Sequence, residues 1–258
     1  MGIINATPDS FYSGSRTPEG EAVAQRVRRM LADGADVLDV GGYSSRPGAE
    51  DISADEEYGR IAVALEAIRR EAPEAVVSVD TFRSDVARRC VEEWGVQIIN
   101  DIGGGTLDAA MFETVASLGV AYVLMHMRGT PATMTGLCDY TDVTADVVRD
   151  LAFKLSELRQ LGVADVIVDP GFGFAKTVEG NFKLLREMDS FALLDAPILA
   201  GLSRKSMIWR TLATTPAESL NGTTALNMVA LERGAAILRV HDVKEARECV
   251  SLFCALRK

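Results

Sequence analysis

The stretch "VVSVDTFRSDVARRCVEEWGVQIIND", residues 76–101, holds the unit from which the rest of the chain is read. A β-branched run from Val76 to Asp80 is followed by the helical pattern "SDVARRCVEEWG" and then by a second apolar run from Gln97 to Asp101. Moving outward in both directions, the same alternation recurs. Short apolar runs lie at Gly2 to Asn5, Val37 to Gly41, Ala121 to His126, Val166 to Asp169, Ile198 to Gly201 and Ala236 to Val240, giving eight in all. Between them run amphipathic patterns such as "EGEAVAQRVRRMLADG", "ADEEYGRIAVALEAIRREA" and "VVRDLAFKLSELRQLG", the last ending in Gly162 as a C-cap. Near-continuous apolar strands suit a parallel sheet buried on both faces. Alternating β and α without a composition break predicts one α/β domain over residues 1–258, a (β/α)8 TIM barrel. A doubly wound open sheet is the alternative, because periodicity does not show closure.

Bulk numbers narrow the partners. With 27 Lys+Arg against 37 Asp+Glu the net charge is -10, which argues against nucleic acid or an anionic membrane surface. An anionic ligand must therefore be held by a local cationic pocket. Cys90, Cys138, Cys249 and Cys254 make no metal-ligand spacing and read as free thiols in a reducing compartment. The beginning "MGIINATPDSF" has no signal-peptide pattern, and no apolar stretch of about 18 residues could span a bilayer, so a cytoplasmic protein is expected.

A barrel places its active site at the C-terminal strand ends. Those ends carry Asn5, Asp80, Asn100 with Asp101, His126, Asp169, Ser203 to Lys205, and Arg239 with His241. Three long loops follow strands one, two and five: Ala6 to Pro18, Gly42 to Ser53 and Thr130 to Asp142. Any single Asp or Asn at a strand end is adequately explained as a turn former or cap, and Asp39, Asp101 and Asp108 are read that way. Asp80 and Asp169 each close a run that should be fully buried, and together they favour a ligand that donates hydrogen bonds. His126, in "YVLMHM", reads as a satisfied core residue, and two histidines far apart in sequence do not make a metal site.

"DPGFGF", residues 169–174, lacks the GK[ST] of a P-loop, and "INDIGGG" lacks the GxGxxG spacing of a dinucleotide fold. "AGLSRKS", residues 200–206, is more pointed. Ser203 reads as the N-cap of the helical pattern "RKSMIWRTLA", which would put Arg204 and Lys205 in a first turn where cations are unfavourable. Over strands seven and eight of a barrel lies the usual anion site. Arg239, His241, Lys205 and Arg46 would form one cationic patch there, and an anionic substrate follows.

In order along the chain, "INATPDSF", "GGYSSRPGA", "VSVDTFRSDVA", "IINDIGGG", "LMHMRG", "DPGFGFAK", "GLSRKSMI" and "RVHDV" resemble the dihydropteroate synthase family. The resemblance implies a (β/α)8 barrel that joins 4-aminobenzoate to 7,8-dihydropterin-6-ylmethyl diphosphate, giving dihydropteroate and pyrophosphate in folate synthesis. It implies Asp80, Asn100, Asp169 and Lys205 around the pterin, with Arg239 flanking the ring. Arg239, His241, Asn5, Ser45 and Arg46 would hold the diphosphate, and Asn5 would be a ligand of a Mg²⁺ cofactor. Arg46, Pro47, Phe174, Ser203, Lys205 and Ser206 would line the aminobenzoate site. A homodimer and competition by sulfonamides are implied as well.

The chemistry suits these side chains. Diphosphate leaves readily once its charge is neutralised, and an arylamine, already neutral at pH 7, needs no strong general base to attack. Departure should precede attack, with Lys205, Arg239, Asp80 and Arg46 carrying the catalysis. Three positions depart from the family pattern: Tyr43 stands for the usual Glu, Ser45 for Thr and Ala175 for a common Gly. The chain also begins almost at its first strand, whereas family members often carry a short preceding segment. Two rival readings are a non-catalytic pterin-binding paralogue, motivated by Tyr43 and Ser45, and a methyltetrahydrofolate–corrinoid methyltransferase. The cations of "SRKS" and "RVHDV" argue against the methyltransferase, whose substrate has no diphosphate.

Overall fold

In the computed structural model, which describes residues 1–6, 16–44 and 51–257, the eight apolar runs become β1 (Gly2–Asn5), β2 (Val37–Gly41), β3 (Val76–Asp80), β4 (Ile98–Asp101), β5 (Ala121–Met125), β6 (Val166–Asp169), β7 (Ile198–Ala200) and β8 (Ala235–Leu238). Every strand pairs in parallel with its neighbour in sequence, in the order β1 to β8. The sheet then closes on itself: the Ile3 N–H donates to the Val240 carbonyl at 2.9 Å and the Val240 N–H to the Met1 carbonyl at 2.9 Å. Closure removes both sheet edges and overturns the open-sheet alternative.

The outer layer comprises α1 (Arg16–Ala32), α2 (Ala54–Glu71), α3 (Ser84–Trp94), α4 (Met111–Leu118), α5 (Val143–Gln160), α6 (Val178–Arg186), α7 (Ser206–Thr211), α8 (Leu220–Glu232) and α9 (Val243–Leu256). Two boundaries differ from the sequence reading for identifiable reasons. Helix α1 begins at Arg16, inside the stretch read as loop, because Pro18 falls in the first turn, where its missing N–H costs nothing. Helix α5 begins at Val143 because Asp142 caps it, accepting from the N–H groups of Thr144 at 3.0 Å and Ala145 at 3.1 Å.

Side chains alternate across each strand, and in a closed barrel that alternation separates two cores. Outward-facing Leu38, Val40, Val79, Ile99, Tyr122, Leu124, Val168 and Ala200 pack against the helices in the main apolar cluster. Inward-facing Ile98, Val123 and Leu199, with Val37, Ile167 and Ile237 against them, fill the lower barrel. One step further along the same inner face, the residues change to Asp39, Asp80, Asn100, Asp169 and Arg239. The floor of the barrel is apolar and its mouth is polar.

Asp101 lies on the opposite face from Asn100. Its carboxylate accepts from the Gly103 N–H at 2.7 Å, the Gly105 N–H at 2.8 Å and the buried Tyr122 hydroxyl at 2.6 Å. The turn it organises passes so close to β5 that a Cβ on Gly104, at φ +52, would lie 2.3 Å from the Met125 carbonyl. Asp108 caps α3 from a neighbouring loop, accepting from the Ser84 N–H at 2.7 Å, where Arg83 at the N-cap position supplies no side-chain bond. Both residues are turn and cap formers, as the sequence suggests. Asp101→Ala strands one hydroxyl and two N–H groups, so urea denaturation should show a loss of about 2–4 kcal/mol; a change below about 1 kcal/mol would contradict this account of the turn.

Candidate active site

Charge accumulates where the inner face turns polar. The Arg239 guanidinium forks between two carboxylates: Nε donates to Asp39 at 2.6 Å and Nη2 to Asp80 at 2.5 Å. Asn100 donates from Nδ2 to the same Asp39 oxygen at 3.2 Å, while the other Asp39 oxygen, also buried, finds no partner among the described residues. Asp39 therefore corrects the sequence reading. It sits in the middle of β2 with no exposed surface, and it forms no turn and caps no helix. The signal was available: in "VLDVG" it is the one charge inside a strand expected to be buried, two residues from Val37 on the inward face.

Lys205 faces this group from β7's loop. Its Nζ donates to the Phe172 carbonyl and lies 4.8 Å from the Phe174 ring centre. A Cβ added at Gly201 would be within 3.9 Å of both the Lys205 Nζ and the Asp169 carboxylate, so the glycine leaves the space between them open. Asp169 is itself fixed by accepting from the Gly171 N–H at 2.8 Å. The mouth thus holds three carboxylates and two cations at close quarters. Burial raises Asp80 to about 7, with Arg239 opposing and Asp39 reinforcing the shift. Burial likewise raises Asp169, against the pull of Lys205, and lowers Lys205 to about 8, against the pull of Asp169. Burial works against the charge on Arg239 as well, but Asp39 and Asp80 outweigh it and the guanidinium is held more firmly protonated.

The paired cations of "SRKS" separate. Helix α7 starts at Ser206 with Lys205 in the N-cap position, so Arg204 and Lys205 precede the helix and Ser203 does not cap it. The Ser203 hydroxyl instead accepts from the His241 backbone N–H at 3.1 Å, joining β7's loop to β8's. Arg204 adopts φ +56, which turns its side chain away from the mouth. It grips Asp242 through two bonds of 2.8 and 2.9 Å and donates to the Pro216 and Ala217 carbonyls. Lys205 alone reaches the site. His241 is close by, but burial, reinforced by Arg239 and Arg26, lowers its pKa to about 4, so it joins as a neutral imidazole and not as part of a cationic patch.

Asn5 ends β1, half-buried, on the inner face. Phe174, Ala175, Ile102, Met125 and Met127 form an apolar cluster above β4 to β6, flanked by Phe82. Tyr43 meets the Phe82 ring edge-on at 5.1 Å, and the Arg83 guanidinium covers both rings while bonding Glu57 and the Ile52 carbonyl. Ser45, Arg46 and Pro47 lie outside the described residues. So Asp80, Asn100, Asp169, Lys205, Arg239, His241, Asn5, Phe174, Ser203 and Ser206 gather at one end of the barrel.

The family model described as "Pterin binding enzyme" matches residues 1–241. The dihydropteroate synthase of Escherichia coli K12 is 40% identical over 252 residues, covering 97% of this chain and 88% of that protein. The enzyme of the same name from Synechocystis is 38% identical, covering 99% and 89%. Among solved structures, Yersinia pestis dihydropteroate synthase in a sulfonamide drug complex superposes with a TM-score of 0.92 at 36% identity, covering 100% of this chain and 93% of that one. The Xanthomonas albilineans enzyme with 4-aminobenzoic acid gives 0.90 at 35%, covering 100% and 92%.

Because Arg204 serves the frame and not the mouth, Arg204→Ala should lower stability by about 1–3 kcal/mol in denaturant titration while ligand binding at the mouth stays within about threefold. Loss of binding in a fully folded variant would return Arg204 to the site.

Proposed function

The chain belongs to the pterin-binding enzyme family, among the dihydropteroate synthases of folate synthesis, and we propose that its inner barrel mouth carries the reaction with the residues just described. The observation supporting this most directly is the Arg239 fork beside Lys205: two anchored cations, one held by carboxylates and the other by the Phe172 carbonyl, in a chain of net charge -10. A dihydropterin presents a row of N–H donors, and Asp80, Asp169 and Asn100 offer matching oxygens on one face. With three acids and two bases, the group has a surplus acceptor that such donors would satisfy.

Asn5, Arg239, His241 and the loop residues Ser45 and Arg46 would receive the diphosphate. Asn5, half-buried at the end of β1, offers one neutral oxygen, which fits a Mg²⁺ ion of the kind that keeps most of its waters. Such an ion, when bound to substrate phosphates, supplies further neutralisation of the leaving group. Arg239 remains charged throughout and stabilises the negative charge that builds as the methylene–oxygen bond breaks. Lys205, between the Phe172 carbonyl and the Phe174 ring, spans the two substrate sites. Phe174, Pro47 and Arg46 would hold 4-aminobenzoate with its amine toward the pterin methylene, and Ser203 and Ser206 would meet its carboxylate. The amine lone pair attacks the methylene and the released proton goes to solvent or departing pyrophosphate.

Neither rival reading gains from this geometry. The methyltransferase has no diphosphate to justify the cations, and Tyr43, which motivated the non-catalytic paralogue, packs against Phe82 and Arg83 without entering the charged mouth. Purified protein given the dihydropterin diphosphate, 4-aminobenzoate and Mg²⁺ should release pyrophosphate, and Lys205→Ala should reduce release at least ~100-fold. Binding without release would favour the paralogue. Against pH, kcat/KM should be bell-shaped: it rises as Asp80 ionises near 7 and falls as Lys205 loses its proton near 8. Asp80→Asn should remove the acid limb; an unchanged limb would assign it to another group.

We further propose that a homodimer buries the exposed apolar side chains of α8 and α9, where Val229, Leu252 and Leu256 stand in water. Sedimentation at micromolar protein should give twice the 27.8 kDa chain mass, and a monomer would refute it.

A further inference from the structure

Lys176 is one of the most enclosed charged side chains of the molecule, and nothing in the reaction uses it. It closes "DPGFGFAK", the turn from β6 to α6, and only 8% of its surface is exposed. Its Nζ lies 3.0 Å from the Nδ1 of His126, 2.9 Å from the Gly171 carbonyl and 3.0 Å from the Phe174 carbonyl. His126 ends β5's run and is 2% exposed. Carbonyls only accept, so each takes one N–H from the amine. An ammonium has one donor left for Nδ1; burial, only partly offset by Asp169, lowers Lys176 to about 7, so below that pH the group donates to Nδ1, and as a neutral amine it would keep both carbonyl bonds and accept from an Nδ1–H.

The turn held in this way carries much of the mouth. The Gly171 N–H fixes Asp169, the Phe172 carbonyl receives Lys205, Gly173 packs against the Lys205 stem, and Phe174 presents its ring under Nζ. From outside, Asn181 holds the same turn through the Gly173 N–H at 2.7 Å and the Thr177 carbonyl at 2.7 Å. From inside, the turn presses so tightly on β5 that a Cβ at Gly171, φ +71, would sit 2.0 Å from the His126 carbonyl. Lys176 is the inner fastening of that turn. His126 suits the part: burial, with nearby Lys176, Lys154 and Arg128, lowers its pKa to about 2, so the ring is neutral and keeps a lone pair for the ammonium.

We propose that Lys176, bonded to His126 Nδ1 and to the Gly171 and Phe174 carbonyls, is a positioning residue for the condensation, shaping the β6–α6 turn so that Asp169 and Lys205 meet the pterin in register. The proposal rests on the synthase reading above. A displacement of about 1 Å at reacting groups can cost ~100-fold in rate, which sets the scale of the effect.

Two measurements test it. The chain has only two histidines, so ¹⁵N spectra of the wild type resolve each ring. Below about pH 7, where Lys176 is charged, His126 should show the Nε2–H tautomer with Nδ1 as an acceptor; an Nδ1–H tautomer there would overturn the proposal. Lys176→Met, of similar length and without donors, should lose ~10–100-fold in kcat/KM, through kcat and pterin affinity together, while His126→Gln, whose amide oxygen can accept the same bond, should stay within about fivefold. A folded Lys176→Met variant within twofold of wild type would overturn it. Should that variant fail to fold, the wild-type tautomer decides. An inactive wild type would count against the synthase reading, whereas the tautomer would still report on the fastening.

Discussion

A closed parallel barrel leaves each strand only two faces, and the inner one has nowhere to go but the axis. Everything distinctive about this protein follows from how that axis is filled. Below, Ile98, Val123 and Leu199 pack as apolar cores do. Above, the same alternation delivers Asp39, Asp80, Asn100, Asp169 and Arg239 to a space too small for each to keep its own water. They must satisfy one another, and the Arg239 fork is how they do so. One guanidinium, planar and permanently charged, reaches from the end of β8 to carboxylates on β2 and β3, so the two sides of the closure are tied together.

That arrangement has an electrostatic consequence. Buried ions stabilise one another only while paired, and here the pairing is uneven. Asp80 shares its partner with Asp39, and Lys205 shares Asp169 with the field of Arg239. Both groups are left with protonation poised around neutrality. Charges held in place by such contacts are those that contribute most to a transition state.

The strand order was legible because alternation and punctuation are local properties. Val76–Asp80 and Val166–Asp169 begin and end where their β-branched runs do. Closure was not, since it is a hydrogen bond between Ile3 and Val240 at opposite ends of the chain. Most of the mouth was legible as strand-end polar residues, and the ordered motifs sharpened it. Asp39 is less legible because an Asp near a strand end also suits a turn; the face it occupies within β2 identifies it. The start of α7 escaped for another reason. Ser203 is a good capping residue, but its hydroxyl is used by the His241 N–H, and Arg204 takes a left-handed conformation that delays the helix by two residues. His126 read correctly as a core residue, yet nothing in sequence spacing ties it to Lys176, fifty residues on.

The Arg204–Asp242 pair separates two demands that adjacent cations in "SRKS" would otherwise impose on one surface. Because Arg204 is spent on the loop after β8, the loops over β7 and β8 are fastened to each other, and Lys205 sits in the fastened segment. Lys205 is therefore registered against Arg239 through the backbone on both sides and needs no direct contact with it. Such a mounting makes the spacing of the two cations a property of the scaffold.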